Sequence, residues 1–264
     1  MELNEARPNT TPADRTTFVD IHCHCLPGLD DGPSSLSEAM ALCRALANDH
    51  IAVVVATPHQ LGRFDNRYDA QDIRKAVAQL NGALKENAIP LTVLPGADVR
   101  IDERIGELLQ SDRILTIADT GRHLMLELPH TVYIEPMVLL QSLTAQKLGT
   151  VITHPERQPF LAQNPQHVRR WAEHRPCLQI TAASFLGEFG PLSEKAAWAF
   201  LNEPLPLLVA TDAHDTDGRA PRMTAAYKAL AKRLGRTAAD ILCRRNPSRL
   251  LTGQDLLPLP GPKT

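Results

Sequence analysis

Short apolar runs alternate with helical patterns along nearly the whole 264-residue chain. The runs are rich in β-branched and aliphatic residues, and they lie near 18–22, 51–57, 91–97, 122–128, 149–153, 177–181 and 206–211. Such alternation is typical of parallel strands joined by crossover helices, because a parallel neighbour needs a long return connection. The sequence therefore predicts an α/β fold with about seven parallel strands and outer helices.

Helical periodicity fills the segments between the runs. The first pattern begins with Ser35 and Glu38 at the spacing of a capping box, and apolar residues follow at helical intervals. Later patterns cover roughly 69–87, 134–147, 164–174, 191–202, 221–234 and 237–245. We expect residues 18–257 to form one domain, flanked by a disordered arm at 1–17 and a flexible tail at 258–264.

Residues of the types that bind metals lie at or just beyond the carboxyl ends of six of the seven runs. They are His22, His24, Asp31, His59, Asp98, Glu127, His154, Asp212 and His214. An α/β barrel builds its active site from the carboxyl ends of many strands, whereas an open sheet concentrates its site at one switch point. This distribution favours a distorted TIM-like barrel with a site for several hard or borderline cations.

Two pairs of these residues have the spacing that places both side chains on one face of a strand end. His22 and His24 are two residues apart, and so are Asp212 and His214. Taken alone, the pair His22 and His24 is a weak signal, and an ordinary pair of polar residues at a strand end explains it at least as well. The LDDG turn after the first pair is by itself typical of a solvated loop. Beside the two histidines, however, we expect one of its carboxylates, assigned to Asp31, to reach the metals.

The remaining predicted ligands each follow a different apolar run. Pro58 stops strand pairing and fixes the backbone just before His59, for which a buried structural role is the alternative. Carboxylates such as Asp98 and Glu127 are costly at the ends of apolar strands unless they bind something. Asp98 can also cap a helix. His154 directly follows the run GTVIT and is expected to be a ligand.

Two arginines follow strands that also deliver predicted ligands. Arg157 lies three residues after His154, and Arg219 lies in the loop after His214. A planar guanidinium beside a metal site suits bidentate capture of a phosphate, so both are candidate catalytic residues. For Arg157 the alternative is a surface salt bridge to Glu156 or another acid.

A second phosphatase motif, the C-x5-R pattern that starts at Cys243, is rejected. Cysteine phosphatases need a strand before the cysteine and a loop of free N–H groups that cradles the phosphate. Here a helical pattern precedes Cys243, and Pro247 removes one N–H from the loop. We therefore expect no catalytic role for this cysteine.

Composition excludes several classes of function. A net charge of -2 gives no electrostatic case for binding nucleic acid or an anionic membrane, and no apolar run approaches the length of a bilayer span. The polar N-terminus lacks the apolar core of a secretory signal. Five cysteines without a C-x-x-C pair suit a reducing compartment, so the cytoplasm is the expected location.

The ordered motifs together resemble a known family. DIHCHCLPGLDDGP, ATPH, PGADV, LMLEL, THPER and ATDAHDTDGRAP occur in that order within residues 18–252. They resemble the polymerase and histidinol phosphatase (PHP) superfamily, and within it the bacterial tyrosine phosphatases found with capsule and exopolysaccharide synthesis. The resemblance implies a distorted barrel of seven strands and a trinuclear site that typically holds manganese.

The resemblance also implies a role for each site residue. It assigns His22, His24, Asp98 and Asp212 to a first cation, Asp98, Glu127 and His154 to a second, and Asp31, His59 and His214 to a third. Arg157 and Arg219 match the phosphate-binding arginines of the family. Two positions depart from its pattern, because Asp98 replaces the usual bridging Glu and Gln158 replaces an aromatic residue that often follows the HPER motif.

The expected function is that of a metal-dependent phosphomonoesterase. Our favoured interpretation is a protein-tyrosine phosphatase that uses a metal-bridging hydroxide and regulates exopolysaccharide synthesis, with a phosphotyrosine protein such as a bacterial tyrosine kinase tail as its substrate. Manganese is the favoured divalent ion, and iron, zinc and magnesium are alternatives. The competing functions are a histidinol-phosphate or sugar-phosphate phosphatase, an amidohydrolase-like hydrolase and a non-catalytic metal-binding module.

Overall fold

The computed structural model describes residues 17–260. The predicted arm therefore lies, except for Thr17, outside the described residues, and so do residues 261–264 of the predicted tail. Leu259, within that tail, packs against the hydrophobic core. None of the helices in residues 17–260 is long and apolar enough to cross a membrane.

All strand pairs in the described chain are parallel and form two sheets. The strands are β1 (Phe18–Cys23), β2 (Ile51–Ala56), β3 (His59–Gln60), β4 (Thr92–Pro95), β5 (Asp98–Arg100), β6 (His123–Glu127), β7 (Gly149–Thr153), β8 (Cys177–Thr181) and β9 (Leu207–Ala210). One sheet has the order β1-β2-β4, and the other has the order β3-β5-β6-β7-β8-β9. The α/β prediction with parallel strands is confirmed at this level.

Two of the seven predicted runs continue into a second short strand that joins the other sheet. Pro58 separates β2 from β3, and Gly96 and Ala97 separate β4 from β5. A proline lacks the N–H that a continuous ladder needs. A Cβ on Gly96 would lie 2.6 Å from Val55 Cγ1, so only glycine allows this close approach between the two chain segments. His59 and Asp98 begin the second strands and face each other in register.

Six helices lie between strands, and three more follow the last strand of the described chain. They are α1 (Leu36–Asn48), α2 (Ala70–Glu86), α3 (Ile105–Gln110), α4 (Met137–Ala145), α5 (Pro159–Gln163), α6 (Gly190–Phe200), α7 (Met223–Leu234), α8 (Arg236–Asp240) and α9 (Asn246–Thr252). The short helices α5 and α9 were not expected, whereas α3 begins a few residues after Asp98, where a helical pattern made capping the alternative role for that residue. The patterns at 164–174 and 237–245 give a 3₁₀ helix at Pro165–Trp171 and a π-helical turn at Ile241–Arg245.

The predicted capping box at the start of α1 is only half correct. Ser35 Oγ accepts a hydrogen bond from Glu38 N at 3.3 Å, which satisfies one of the free N–H groups of the helix end. The Glu38 carboxylate instead accepts from Ser34 N and Ser34 Oγ, at 2.8 and 2.9 Å. The Glu38 carboxylate thus bonds Ser34, the residue before the N-cap, and not the backbone N–H of Ser35 as a full capping box requires.

The alternation of side chains along the strands places the predicted ligands above a small apolar cluster. Met125 in β6 and Ala210 in β9 both belong to this cluster. Glu127 and Asp212 follow them by two residues, so they project on the same side at the carboxyl ends of the strands. The larger core cluster packs the opposite strand faces against the helices.

A buried polar contact joins the first strand to the last. Asp20 accepts hydrogen bonds from Thr211 N at 3.0 Å and from the Thr211 hydroxyl. Backbone bonds from Asp212 N to His22 O and from His24 N to Ala213 O, at 2.8 and 2.9 Å, continue this contact toward the carboxyl ends. The two predicted ligand pairs are thereby fixed side by side.

Candidate metal centre

The nine predicted ligands converge at the carboxyl ends of the strands. Each lies within 4.0 Å of at least one other member through a ring nitrogen or a carboxylate oxygen, in the set His22, His24, Asp31, His59, Asp98, Glu127, His154, Asp212 and His214. All of them are buried except Asp31, which is exposed, and His59, which is half-buried. Residues that are scattered over almost two hundred positions of sequence thus form one cluster.

Asp98 lies at the centre of the cluster. Its Oδ2 is 3.5 Å from His59 Nδ1, 3.6 Å from His22 Nε2 and 3.9 Å from His154 Nε2. The side chain is fully buried, and neither carboxylate oxygen accepts a hydrogen bond from any residue in the described part of the chain. Burial and the nearby charge of Glu127 raise the pKa of Asp98 well above its usual range.

The two ligand pairs meet on one side of Asp98. Asp212 Oδ1 lies 3.3 Å from His22 Nε2 and 3.4 Å from His24 Nε2, and the two imidazole nitrogens are 3.2 Å apart. These three side chains present one oxygen and two nitrogens to a single point. Ligand atoms that share a cation at about 2.1 Å are separated by about 3.0 to 3.4 Å, which matches this arrangement.

A third group of donors lies near the solvent. Asp31 Oδ1 is 3.4 Å from His214 Nε2 and 3.6 Å from His59 Nε2. His24 stacks on His214 with ring centroids 3.8 Å apart and belongs to the same group of donor atoms. The family resemblance assigned His24 to a different cation, so this histidine stands between two candidate positions.

Two of the converging residues have unusual backbone conformations. His154 has φ of 31° and Asp212 has φ of 53°, both in the left-handed region. For residues other than glycine this conformation costs on the order of 1 kcal/mol or more, and such strain is concentrated at functional sites. The strand ends therefore hold these two side chains at a local energetic cost.

Three histidines are oriented by a hydrogen bond on the ring nitrogen that faces away from the cluster. His22 Nδ1 bonds Gln179 Oε1 at 2.9 Å, His24 Nδ1 bonds Asp30 Oδ2 at 2.5 Å, and His214 Nδ1 bonds Asp212 O at 3.0 Å. When Nδ1 donates, the lone pair of Nε2 is left for a cation, as is common in metal sites. Each of these Nε2 atoms faces a carboxylate of the cluster.

Asp30 and Gln179 are functional residues that the sequence analysis did not select. Asp30 also accepts from His59 N at 3.0 Å, and Gln179 Oε1 accepts from His154 N at 3.3 Å, so each holds two strand ends. Asp30 shared the LDDG turn with Asp31, and nothing in the sequence distinguished the two roles. A Cβ on Gly32 would lie 2.3 Å from His24 O, which explains why this turn needs glycine to pack on β1.

The residues present fit bound divalent cations. Without a cation, the unpartnered oxygens of Asp98 and the unpartnered Oδ1 of Asp212 would remain buried at a cost of several kcal/mol. The donor set contains imidazole nitrogens and carboxylate oxygens in the residues described, a mixture that suits manganese, iron or zinc. Groups of three or four donors with this chemistry recur across the cluster.

The two predicted arginines both face the cluster. Arg157 Nη1 contacts Asp212 Oδ2, and Arg219 Nη2 lies 2.5 Å from the same oxygen. His22 and then the two guanidinium groups hold the pKa of Asp212 well below its usual range, against the effect of burial. Arg157 does not form the alternative salt bridge with Glu156, whose buried carboxylate accepts from Thr181 N and Ser184 Oγ.

A cavity of about 370 Å³ opens over the cluster. Its lining includes both arginines and several of the predicted ligands, together with Arg63, Phe64, Arg100, His130 and Thr131. Arg100 Nε lies 3.0 Å from Glu127 Oε2. The cavity therefore brings four arginines, each paired with a lining carboxylate, to the opening above the buried donors.

Gln158 and Cys243, the two other positions that the sequence analysis discussed, do not belong to the cluster. Gln158, at the position where the resemblance expects an aromatic residue, is buried and caps α5 by accepting from Leu161 N at 3.0 Å. Cys243 is fully buried in the π-helical turn, and burial raises the pKa of its thiol. A buried thiol with a raised pKa is a poor nucleophile.

Comparison with known proteins identifies the family. Residues 18–252 match the family model described as capsular polysaccharide synthesis, CpsB/CapC. The chain belongs to this family. The match covers most of the sequence and confirms the resemblance that rested on the ordered motifs.

Curated relatives of this CpsB/CapC family member are similar over almost their whole length. The tyrosine-protein phosphatase YwqE of Bacillus subtilis is 32% identical over 247 residues, which cover 92% of this chain and 95% of YwqE. The tyrosine-protein phosphatase CpsB of Streptococcus pneumoniae is 30% identical over 244 residues, covering 90% and 99% respectively.

Solved structures show the same relationship. A crystal structure from the work on YwqE from Bacillus subtilis and CpsB from Streptococcus pneumoniae, described there as unique metal-dependent tyrosine phosphatases, superposes with a TM-score of 0.85. It is 30% identical and covers 93% of this chain and 100% of its own. A phosphotriesterase homology protein from Escherichia coli, at 12% identity and a TM-score of 0.50, shares the fold alone.

The buried carboxylate at the centre generates a prediction about stability. In metal-free protein at neutral pH, Asp98→Asn should be at least as stable as the wild type, because the neutral amide avoids the cost of burying a carboxylate without a cation. Manganese at one hundred times its dissociation constant should stabilise the wild type by about 2.7 kcal/mol, or about 5 to 10 °C in the midpoint of thermal unfolding.

Asp98→Asn should lose most of this metal-induced shift, whereas the exposed control Asp255→Asn should retain it. Thermal unfolding of the three proteins, with and without manganese, measures both effects. An undiminished shift in folded Asp98→Asn protein would mean that Asp98 does not bind the cation.

Proposed function

We propose that this chain is a metal-dependent protein-tyrosine phosphatase that regulates capsule or exopolysaccharide synthesis. The observation that carries the proposal is the convergence of nine metal-type ligands in one cluster, beneath a cavity that is lined by five of them and by two arginines. The names of the relatives supply the substrate class, phosphotyrosine in a protein. The tail of a bacterial tyrosine kinase is the substrate we propose, and the cytoplasm is the location, where all five cysteines would stay as the free thiols observed.

The proposed enzyme uses one domain, residues 18–257, in which the strands surround the small apolar cluster as a distorted TIM-like barrel. The contact between the ends of β1 and β9 supports this interpretation. We assign the metal-binding role to the nine converging residues and propose three divalent cations, with manganese favoured. Bound cations of this kind lower the pKa of water and neutralise charge on a phosphoryl group.

The protein's own residues would bind and orient the phosphate. Arg157 and Arg219 extend from the loops after β7 and β9 toward the same carboxylate oxygen, so a phosphate at the cavity floor can accept hydrogen bonds from both. The face of Arg157 is packed on Phe189, 4.2 Å from the ring centroid, which fixes the plane of its guanidinium group. Charge on the equatorial oxygens is thereby stabilised in the transition state.

The chemistry of the leaving group favours phosphotyrosine as the substrate. A phenol has a pKa near 10, so its phenolate leaves with less need for protonation than an alkoxide. The reacting phosphate would lie in a cavity that is lined by four arginines, Arg63, Arg100, Arg157 and Arg219, and by three imidazoles, His59, His130 and His154. The cysteine mechanism contributes nothing here, because Cys243 is buried in a helical turn.

A substrate panel tests the function. Protein that has been stripped with a chelator should not hydrolyse a phosphotyrosine peptide, and manganese should restore the activity. Histidinol phosphate and a phosphoserine peptide should react with lower kcat/KM. Cys243→Ser should keep kcat within a few-fold, since the nucleophile is not a thiol. Full activity in excess chelator after prolonged dialysis, or a preference for histidinol phosphate, would contradict the proposal.

The arginines provide a test of phosphate recognition. Arg157→Ala or Arg219→Ala should each lower kcat/KM at least roughly tenfold, about 1.4 kcal/mol of transition-state stabilisation. Inorganic phosphate should inhibit both variants less than the wild type, while the metal content stays nearly constant.

The matched control is Arg74→Ala, because Arg74 pairs with Asp112 and Asp119 on the surface away from the cavity. Its kinetics should equal those of the wild type. If both cavity variants hydrolyse phosphotyrosine at the wild-type rate with unaltered phosphate inhibition, the arginines do not bind the substrate.

A further inference from the structure

His130 is a donor at the cavity that neither the sequence analysis nor the family resemblance assigned. It lies three residues after Glu127, in the loop that follows β6, and its side chain is 39% exposed. Asp31, one of the nine converging residues, has a side chain of similar exposure at 36%. Partial exposure is therefore a property that His130 shares with a residue already placed in the cluster.

The two oxygens of Glu127 face different parts of the cluster. Oε2 lies 3.5 Å from His59 Nδ1 and 3.0 Å from Arg100 Nε. Oε1 lies 3.5 Å from His130 Nε2 and 4.0 Å from His154 Nε2. Within residues 17–260 the side of Oε1 is thus flanked by two imidazole nitrogens, and one of them belongs to His130.

The rings of His130 and His154 have the spacing of two ligands of one cation. Their centroids are 5.1 Å apart and their planes differ by 22°. Two imidazoles bound to the same ion at about 2.1 Å have centroids about 4.6 to 5.3 Å apart, from cis octahedral to tetrahedral angles. The ring pair His22 and His24, already assigned to one position, is separated by 5.3 Å.

We propose that His130 binds a divalent cation together with Glu127 and His154. Donor atoms of these three residues lie within 4.8 Å of one another. With His130, this cation has one carboxylate oxygen, from Glu127, and two imidazole nitrogens, from His130 and His154. Asp98 is a further donor beside them. This inference rests on the proposed metal centre and adds a tenth ligand to it.

Metal binding without any assay of activity tests the inference. Stripped wild type and His130→Ala are dialysed against graded manganese, and the bound metal per protein is measured by plasma mass spectrometry. We expect His130→Ala to lose at least tenfold in affinity for one cation and to keep the remaining sites. The control His167→Ala, which removes an imidazole that bonds Glu135 at 3.0 Å outside the cluster, should bind like the wild type.

A change of donor atom gives a second, spectroscopic readout. His130→Cys places a thiolate at the same position, and soft ligands favour cadmium over manganese. We expect cadmium to bind His130→Cys more tightly than the wild type, with an ultraviolet thiolate-to-cadmium absorption that His167→Cys lacks. The five native cysteines are buried, so they do not compete for the added ion.

The outcomes separate this inference from the proposed function. If the wild type binds no cation, the metal centre and the role of His130 both fail. If the wild type binds manganese and both His130 variants bind it equally well without a cadmium–thiolate band, only the inference fails. Weaker phosphate inhibition in His130→Ala with unchanged metal affinity also overturns it, because His130 would then contact the substrate instead.

Discussion

The structure depends most on the burial of the Asp98 carboxylate among imidazoles. Neither of its oxygens has a hydrogen-bond partner in the described chain, and the side chain is fully buried. An isolated carboxylate in such surroundings costs several kcal/mol unless it is neutralised by a proton or a cation. Three imidazole nitrogens lie within 3.9 Å of Asp98 Oδ2. Neutral imidazoles are metal ligands, so these surroundings favour neutralisation of the carboxylate by a cation over neutralisation by a proton.

The residues behind the cluster make this arrangement rigid. Asp30 and Gln179 each bond the imidazole of one predicted ligand and the backbone N–H of another, so each of these side chains links two positions of the cluster. Asp20 links β1 to the end of β9 by accepting hydrogen bonds from Thr211. Ligands held in this way need no large rearrangement on binding, which preserves affinity and sets the position of the phosphate relative to Arg157 and Arg219.

The sequence predicts the residues of the cluster better than their partners. His22, His24, Asp212 and His214 were identified from their spacing at strand ends, because parallel strands must bring such ends together. The sequence did not predict that two apolar runs each divide between the two sheets. At one of these points Gly96 allows the close approach of the neighbouring strand, and hydrophobic periodicity carries no signal of such a contact. Asp30 and His130 lie in loops, where the direction of a side chain depends on tertiary packing, and Gln179 is a polar residue inside an apolar strand with no pattern around it.

Anomalous diffraction from crystals grown with manganese tests the central claim, that cations neutralise the buried carboxylates, most directly. Peaks should lie about 2.0 to 2.6 Å from Asp98 Oδ1 or Oδ2 and from the Nε2 atoms that face this carboxylate. Fully occupied peaks at these positions are the predicted result. Density for water alone around Asp98, with no anomalous peak among the nine converging residues, would contradict the claim.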